Sequence, residues 1–199
     1  MGLQTLKNTY FSLFFLILLF KILGSYPIKR YNIGIFGEKN CGKTSLLEKF
    51  IQSNEKSNPH STITPDIIDV PNYNFNQEKY ALKIWDMPGL SSYRLSYQYL
   101  DKMDGCLLCL DFTFERSFNV IQTFIDEIQK EYPNYVKNTS FLLIGCKSDL
   151  NNKRIISSKD VYKYSIQKNI IYLEDLFIQE DVENIINLLL TLIDNRKRL

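Results

Sequence analysis

Histidine is nearly missing from this chain of 199 residues, in which His60 is the only one. A histidine-rich metal site and a catalytic triad built on histidine are therefore implausible. The chain also lacks an excess of charge of one sign, because 24 basic and 22 acidic residues leave a net charge of +2. So weak a charge implies no strong field for nucleic acid, and no nucleic-acid partner is expected. The length suits one globular domain with an appendage.

Cysteine is scarce, with four residues at positions 41, 106, 109 and 146. Cys106 and Cys109 form a C-x-x-C motif, but they lie inside an apolar run that is typical of a buried strand. Residues three apart on a strand point to opposite faces of the sheet, which argues against joint metal or redox use. We interpret the cysteines as reduced core thiols of a cytosolic domain.

The first 30 residues contain an uncharged run at positions 8–20, too short to span a bilayer, which takes about 20 residues. Lys21 interrupts the apolar stretch, which then continues to residue 28. Because a lysine near a helix end can extend its charge to the surface, residues 8–28 are marginally long enough. A cleaved signal peptide and a buried core helix are the alternatives to a membrane anchor.

We favour an anchor over residues 1–28, followed by one folded domain over residues 29–199. That domain has no spare surface for another core helix, and the motifs described next argue against secretion. Basic residues are more frequent after the apolar segment (Lys21, Lys29, Arg30) than before it (Lys7). This bias predicts that the domain faces the cytosol.

The rest of the chain is organised around the motif G-x-x-x-x-G-K-[ST], which here runs GEKNCGKT from Gly37 to Thr44. A short apolar strand precedes it at residues 33–36, and a helical pattern follows at 45–50. This is the strand–turn–helix setting that a phosphate-binding loop requires.

Each residue type of this motif suits the binding of phosphate. Gly37 and Gly42 permit backbone angles that let successive N–H groups surround a phosphate chain. The positive end of the following helix dipole points to the same place. We expect Lys43 to reach the β- and γ-phosphates and the Thr44 hydroxyl to ligate Mg²⁺.

A second motif follows a predicted strand and reads Asp86-Met87-Pro88-Gly89. A carboxylate at this place beside a phosphate-binding loop suits a group that supports Mg²⁺, and the Gly89 N–H could meet a γ-phosphate. The tetrapeptide alone is also ordinary turn chemistry. Its position after the loop favours the metal role for Asp86.

The remaining pattern alternates strands with helices. Strands are predicted at residues 33–36, 66–75, 80–85, 106–111, 141–144 and 170–173, and helices at 45–50, 91–103, 117–130, 157–165 and 182–193. A polar turn at 76–79 joins the second and third strands into a hairpin. We predict an α/β fold with a mostly parallel six-stranded sheet, helices on both faces and an N-terminal hydrophobic helix before it.

Together these motifs resemble the small GTPases of the Ras superfamily, and the Rab family most. The resemblance rests on GEKNCGKTSLL, the segment STITPD from Ser61 to Asp66, KIWDMPGLSSYR, DGCLLCLDFTFERSF and LLIGCKSDL. It implies GTP or GDP and Mg²⁺ as ligands. It also implies that effectors and exchange factors bind two switch segments, from Pro59 to Asp66 and from Leu90 to Leu100.

The resemblance further implies a role for each site residue. Thr62, with Thr64 as the competing candidate, would join Thr44 and Asp86 at Mg²⁺. Lys43 and Gly89 would contact the γ-phosphate during hydrolysis. The nucleotide would be held by the loop residues Gly37, Asn40, Cys41, Gly42, Lys43, Thr44 and Ser45, by Thr62 and Gly89, and by the base motif Cys146, Lys147 and Asp149.

Five departures from the family pattern modify these expectations. Leu90 replaces the glutamine that orients the attacking water, which predicts slow hydrolysis. Cys146 replaces the asparagine of the base motif, the last base-contacting motif is missing near residues 173–177, and no aromatic residue stands near Glu55 to stack on guanine. The chain also ends without the cysteines to which prenyl groups are attached, and the N-terminal segment would supply membrane attachment instead.

Three functions follow from these features. The first is a membrane-attached, Rab-like switch of vesicle traffic or signalling that hydrolyses GTP slowly. The second is a pseudo-GTPase, an interaction scaffold that binds nucleotide weakly or not at all. The third is a relative of the β subunit of the signal recognition particle receptor, against which the Rab-like block at residues 111–118 argues.

Overall fold

A computed structural model describes residues 27–53, 65–90, 97–174 and 179–198. Its six strands are β1 (Lys29–Gly37), β2 (Asp66–Phe75), β3 (Glu78–Asp86), β4 (Gly105–Asp111), β5 (Ser140–Cys146) and β6 (Ile171–Leu173). They form one sheet in the order β2-β3-β1-β4-β5-β6. All neighbours are parallel except β2 and β3, which pair antiparallel as a hairpin. The predicted α/β fold is confirmed.

Helices cover both faces of this sheet. They are α1 (Lys43–Ser53), α2 (Tyr97–Leu100), α3 (Glu115–Glu131), α4 (Pro133–Asn138), α5 (Ser158–Lys168) and α6 (Gln179–Lys197). One apolar layer joins the sheet to α1 and α6, and the other joins it to α2, α3 and α5. Such coverage explains why the central strands are continuous apolar runs rather than alternating ones.

The central strand β4 is buried on both faces of the sheet. All seven of its residues are buried. Cys109 belongs to the layer under α1 and α6, whereas Cys106 belongs to the layer under α3. The prediction that this C-x-x-C pair faces two ways is confirmed, and all four cysteines are free thiols.

A buried carboxylate ties α6 to the sheet at the end where β1 begins. Asp194 accepts hydrogen bonds from the Tyr31 hydroxyl at 2.6 Å, the Tyr80 hydroxyl at 2.8 Å and the Lys29 ammonium at 2.8 Å. Burial alone would raise the pKa of Asp194, but these hydrogen bonds outweigh it and lower that pKa. The C-terminal helix is thus fixed to the first and third strands by charge as well as by apolar packing.

Some predicted boundaries were wrong. The hairpin turn has two residues, Asn76 and Gln77, both with positive φ, and β3 already begins at Glu78. This geometry suits the right-handed twist of the paired strands. The helix predicted to end at residue 103 ends at Leu100. The short helix α4 was not predicted; it begins at Pro133, a residue type that the first position of a helix accommodates.

The N-terminal hydrophobic helix and the proposed anchor fall almost entirely on residues 1–26, which lie outside the described residues. Within the described part of the chain, no helix combines the length and the apolar character needed to cross a membrane.

Candidate functional site

The phosphate-binding loop lies between β1 and α1. Gly37 makes a close approach there, since a Cβ atom at this position would lie 2.5 Å from the Cys109 carbonyl oxygen. Gly42 has a φ of 108°, which favours glycine, and Asn40 adopts the left-handed region at 62°. The Cys41 side chain is buried beneath the loop, where burial raises the pKa of its thiol to about 12. The Cys41 backbone N–H donates a 3.3 Å hydrogen bond to the Glu38 carbonyl oxygen within the loop.

Lys43 folds back over this loop. Its ammonium donates hydrogen bonds to the carbonyl oxygens of Gly37 at 3.1 Å and Glu38 at 2.9 Å, and the residue is 7% exposed. A buried cation held by two backbone carbonyl oxygens of the loop creates a positive site that suits a phosphate oxygen.

Two of the three predicted metal ligands, Thr44 and Asp86, meet directly beside this loop. The Thr44 hydroxyl donates a 2.8 Å hydrogen bond to Oδ2 of Asp86, at the end of β3. Oδ1 of Asp86 is buried and has no hydrogen-bond partner among the described residues. Burial raises the pKa of Asp86, partly offset by the Thr44 hydrogen bond and the Lys43 charge. The carboxylate thus has unused capacity for a cation.

Mg²⁺ fits this pair. It prefers oxygen ligands and is commonly held by one or two carboxylates together with substrate phosphates rather than by an all-protein cage. Among the described residues, no group of three His, Cys, Asp or Glu side chains could hold a metal ion. The hydroxyl and carboxylate oxygens of Thr44 and Asp86 are the groups that would hold it.

Gly89 packs against the phosphate-binding loop. A Cβ atom at Gly89 would lie 2.9 Å from the backbone nitrogen of Lys39, so only glycine fits without displacement. The next residue, Leu90, is fully buried in the apolar layer that contains Met87 and Phe36. The position at which the family has its glutamine is therefore occupied here by a side chain of the core.

A cavity of about 320 Å³ continues from the loop toward the end of β5. The residues that line it are Gly42, Ser45, Leu46, Lys49, Gly145, Cys146, Lys147, Ser148 and Asp149. Five of the predicted nucleotide contacts therefore meet in one cavity. The sequence analysis did not single out Lys49, whose position one helical turn after Ser45 is the signal that could have found it.

Lys147 is held from the neighbouring strand. It has a φ of 59°, unusual for a residue of this type, and its ammonium lies 2.6 Å from Oδ2 of Asp111. The other oxygen of Asp111 accepts hydrogen bonds from the backbone N–H and the hydroxyl of Thr113. Asp111 is a buried residue of the site that sequence reasoning missed, although a carboxylate at the end of a strand is a recognisable signal.

Near the position of the family's last base-contacting motif, this chain has Glu174, whose carboxylate binds residues of its own fold. Glu174 accepts 2.8 Å hydrogen bonds from Arg154 and Ser158 and a further one from Tyr172. Burial would raise the pKa of Glu174, yet these hydrogen bonds leave it below its usual value. Glu174 is thus engaged with α5 and β6 rather than lining the cavity.

Several predicted site residues lie outside the described residues. They include Thr62 and its competitor Thr64. The first predicted switch segment is described only at residues 65–66, and the second only at residue 90 and residues 97–100.

Comparison with known proteins agrees with this geometry. The model of the Ras family matches residues 32–195. Ras-related protein RABA4b of Arabidopsis thaliana is 26% identical over 167 residues, which cover 83% of this chain and 73% of the relative. Human Ras-related protein Rab-30 is 29% identical over 145 residues, which cover 72% of this chain and 70% of the relative. Ras-related protein RabZ of Dictyostelium discoideum is 29% identical over 147 residues, which cover 72% of this chain and 62% of the relative.

The chain therefore belongs to the Ras family, and among its relatives it is similar to Rab proteins. The resemblance predicted from the sequence motifs is confirmed. It is a small GTPase by family and fold.

Proposed function

We propose that this protein is a Rab-like switch that binds GTP and GDP with Mg²⁺, hydrolyses GTP slowly and acts at a membrane. The observation that carries the proposal is the Thr44–Asp86 pair, which leaves a buried carboxylate oxygen without a partner among the described residues. This pair lies beside the positive centre of the loop around Lys43. Family membership supports the same ligands.

The base would occupy the cavity beside Ser45 and Cys146. In this arrangement Asp149 accepts the N–H groups of guanine, and the aliphatic part of Lys147 lies along the ring. Asp111 sets the position of Lys147 through their ion pair. Cys146 offers a weaker hydrogen-bonding group than the asparagine of the family, so we expect guanine to be held less tightly than in typical relatives.

Slow hydrolysis follows from Leu90. Its side chain can neither donate nor accept a hydrogen bond, and it is fully buried in the core. It is therefore doubly unsuited to orient the attacking water. Membrane attachment through residues 1–28, a role in vesicle traffic or signalling, and effector binding through the two switch segments complete the proposal.

One experiment tests the switch directly. The full chain is purified without added nucleotide and denatured, and the released nucleotide is identified by chromatography. Mainly GTP supports slow hydrolysis, whereas mainly GDP contradicts that part of the proposal. Lys43→Gln should release much less nucleotide than the wild type, while Lys153→Gln, a change at an exposed lysine outside the cavity, should match the wild type.

A second function, an interaction scaffold without bound nucleotide, is favoured by one observation. Glu174 is held by Arg154, Ser158 and Tyr172, so the strand end that contacts the base in the family is used for internal structure here. If the denatured protein released no nucleotide, and if GTP and Mg²⁺ left its melting temperature unchanged, the scaffold would be favoured over the switch.

A further inference from the structure

A second cavity, of about 470 Å³, lies at the other end of the sheet from the proposed nucleotide site. It is bounded by the start of β5 at Ser140 and Phe141, by α3 and α4, by the junction of α5 with β6, and by α6. The nucleotide cavity is lined by Cys146 at the opposite end of the same strand. Seven residues of a strand extend about 20 Å, so the two cavities are separate sites.

Seven of the thirteen residues that line the cavity are apolar. Ile125 and Ile128 contribute from α3, Phe141 from β5, Ile170 from the strand junction and Leu192 from α6. The volume lies within the range of small-molecule sites, which are mainly apolar with a few placed polar groups. This wall suits a hydrocarbon chain.

The charged residues at this cavity are all basic. Lys137, Lys168 and Arg196 line it, and none of the described residues that line it is acidic. Lys168 is partly neutralised by Asp126, which lies 2.5 Å from its ammonium outside the lining. Lys137 and Arg196 form no ion pair with another described residue. Two cations are therefore available to an anion.

These two cations lie at one corner. The Arg196 guanidinium donates to the backbone carbonyl oxygens of Val136 and Lys137, which brings it beside the end of α4. Ser140 follows three residues later in the chain and lines the same cavity. Ser140, Lys137 and Arg196 thus lie together at one corner of the cavity. On the side of α3 and α5, the Lys168 ammonium donates a 3.0 Å hydrogen bond to the side-chain oxygen of Gln129.

Ser140 supplies an independent sign of a ligand. The residue is 1% exposed, and its Oγ atom has no hydrogen-bond partner among the described residues. A buried hydroxyl without a partner is costly and calls for an explanation in a folded protein. An oxyanion that entered the cavity would accept a hydrogen bond from this hydroxyl.

We propose that this cavity binds an amphipathic anion, with its hydrocarbon chain against α3 and β6 and its oxyanion head at Ser140, Lys137 and Arg196. A carboxylate and a phosphate head share this chemistry. The site is independent of the nucleotide and of the proposed switch function.

The test uses the full chain in nanodiscs of zwitterionic lipid and a dodecanoate analogue that carries a photoreactive diazirine on its chain. After illumination, mass spectrometry locates the adducts. We expect them on peptides that contain residues 125–128 and 170–171. Dodecanoate or dodecyl phosphate should suppress labelling at a concentration at least tenfold below that of dodecanol, and excess GTP should not suppress it. Comparison of the two anions identifies the preferred head.

Matched variants test the polar corner. Ser140→Ala removes only a buried hydroxyl and Lys137→Gln only an exposed charge, so both should fold and require about tenfold more probe for half-maximal labelling. Lys159→Gln, an exposed change on α5 outside the cavity, should label as the wild type does. Equal competition by dodecanol, adducts scattered over the surface, or unchanged labelling of both cavity variants would overturn the proposal.

Discussion

The ammonium of Lys147 lies 2.6 Å from the carboxylate of Asp111, and this ion pair joins the ends of two neighbouring strands beside the proposed nucleotide cavity. Lys147 has positive φ, a conformation that is costly for lysine and persists only when its surroundings support it. Asp111 is buried and is itself fixed by Thr113 and by Ser117, whose hydroxyl accepts from the Asp111 backbone N–H. The carboxylate therefore fixes the position of the Lys147 ammonium at the proposed nucleotide cavity.

Asp111→Asn tests this positioning. The amide keeps an acceptor for Thr113 but loses the charge that holds Lys147, so we expect nucleotide to bind about tenfold more weakly. Titration with a fluorescent GDP analogue measures the change. Asp160→Asn, at an exposed residue on α5, serves as the control and should bind as the wild type does. Equal affinities for Asp111→Asn and the control would contradict the role.

The Thr44–Asp86 pair predicts how stability depends on magnesium. The wild type should melt at a higher temperature with GTP and Mg²⁺ than with GTP and a chelator, because a ligand that binds only the native state stabilises it. Asp86→Asn removes the buried carboxylate, so its melting temperature should be the same in both solutions.

A matched pair of variants at Thr44 completes this test. Thr44→Ser keeps the hydroxyl and should retain the magnesium effect, whereas Thr44→Val removes the hydroxyl and should lose it. If Thr44→Val still gained stability from Mg²⁺, the hydroxyl would not be a ligand.

The burial of Leu90 predicts how substitutions at this position change the stability of the protein. Leu90→Gln places an amide in a fully buried position, which should lower the free energy of unfolding by about 2–4 kcal/mol. Leu90→Met, close in volume and apolar, should cost less than about 1.5 kcal/mol. Denaturant unfolding measures both.

The same variant also tests the catalytic interpretation. Because the side chain at position 90 belongs to the core, restoring glutamine should not restore fast hydrolysis in single-turnover assays. A Leu90→Gln protein that is as stable as the wild type and hydrolyses GTP faster would show that this side chain reaches the nucleotide.

The sequence predicted those parts of the fold that depend on local patterns. The buried strands are continuous apolar runs, and the phosphate-binding loop requires glycines at fixed spacing, so both could be read directly. Cys106 and Cys109 pointed to opposite faces because strand periodicity demands it.

The parts that were missed depend on contacts between distant residues. Asp111 and Lys147 are 36 positions apart, and only the pairing of β4 with β5 brings them together. Leu90 lies in a loop, where no periodicity reveals which side chains enter the core. The cavity beside Ser140 is formed by four helices and two strands, and no local stretch of sequence encodes it.

The network around Asp194 predicts a pH dependence of stability. The folded-state pKa of Asp194 is lowered, so its contribution is fully present above the unfolded value near 3.8 and is lost as the pH falls through the folded value. Asp194→Asn should therefore be less stable than the wild type at pH 7, because Tyr31, Tyr80 and Lys29 lose a charged acceptor. The difference should narrow as the solution is acidified below about pH 4.

Denaturant unfolding at several pH values between 3 and 7 checks this expectation. Asp69→Asn is the control, because Asp69 is 70% exposed in its side chain and forms only a 3.7 Å ion pair with Lys83. Its stability should follow that of the wild type throughout. A difference between Asp194→Asn and the wild type that stayed constant down to pH 3 would show that the carboxylate acts through shape and neutral hydrogen bonds, and not through its charge.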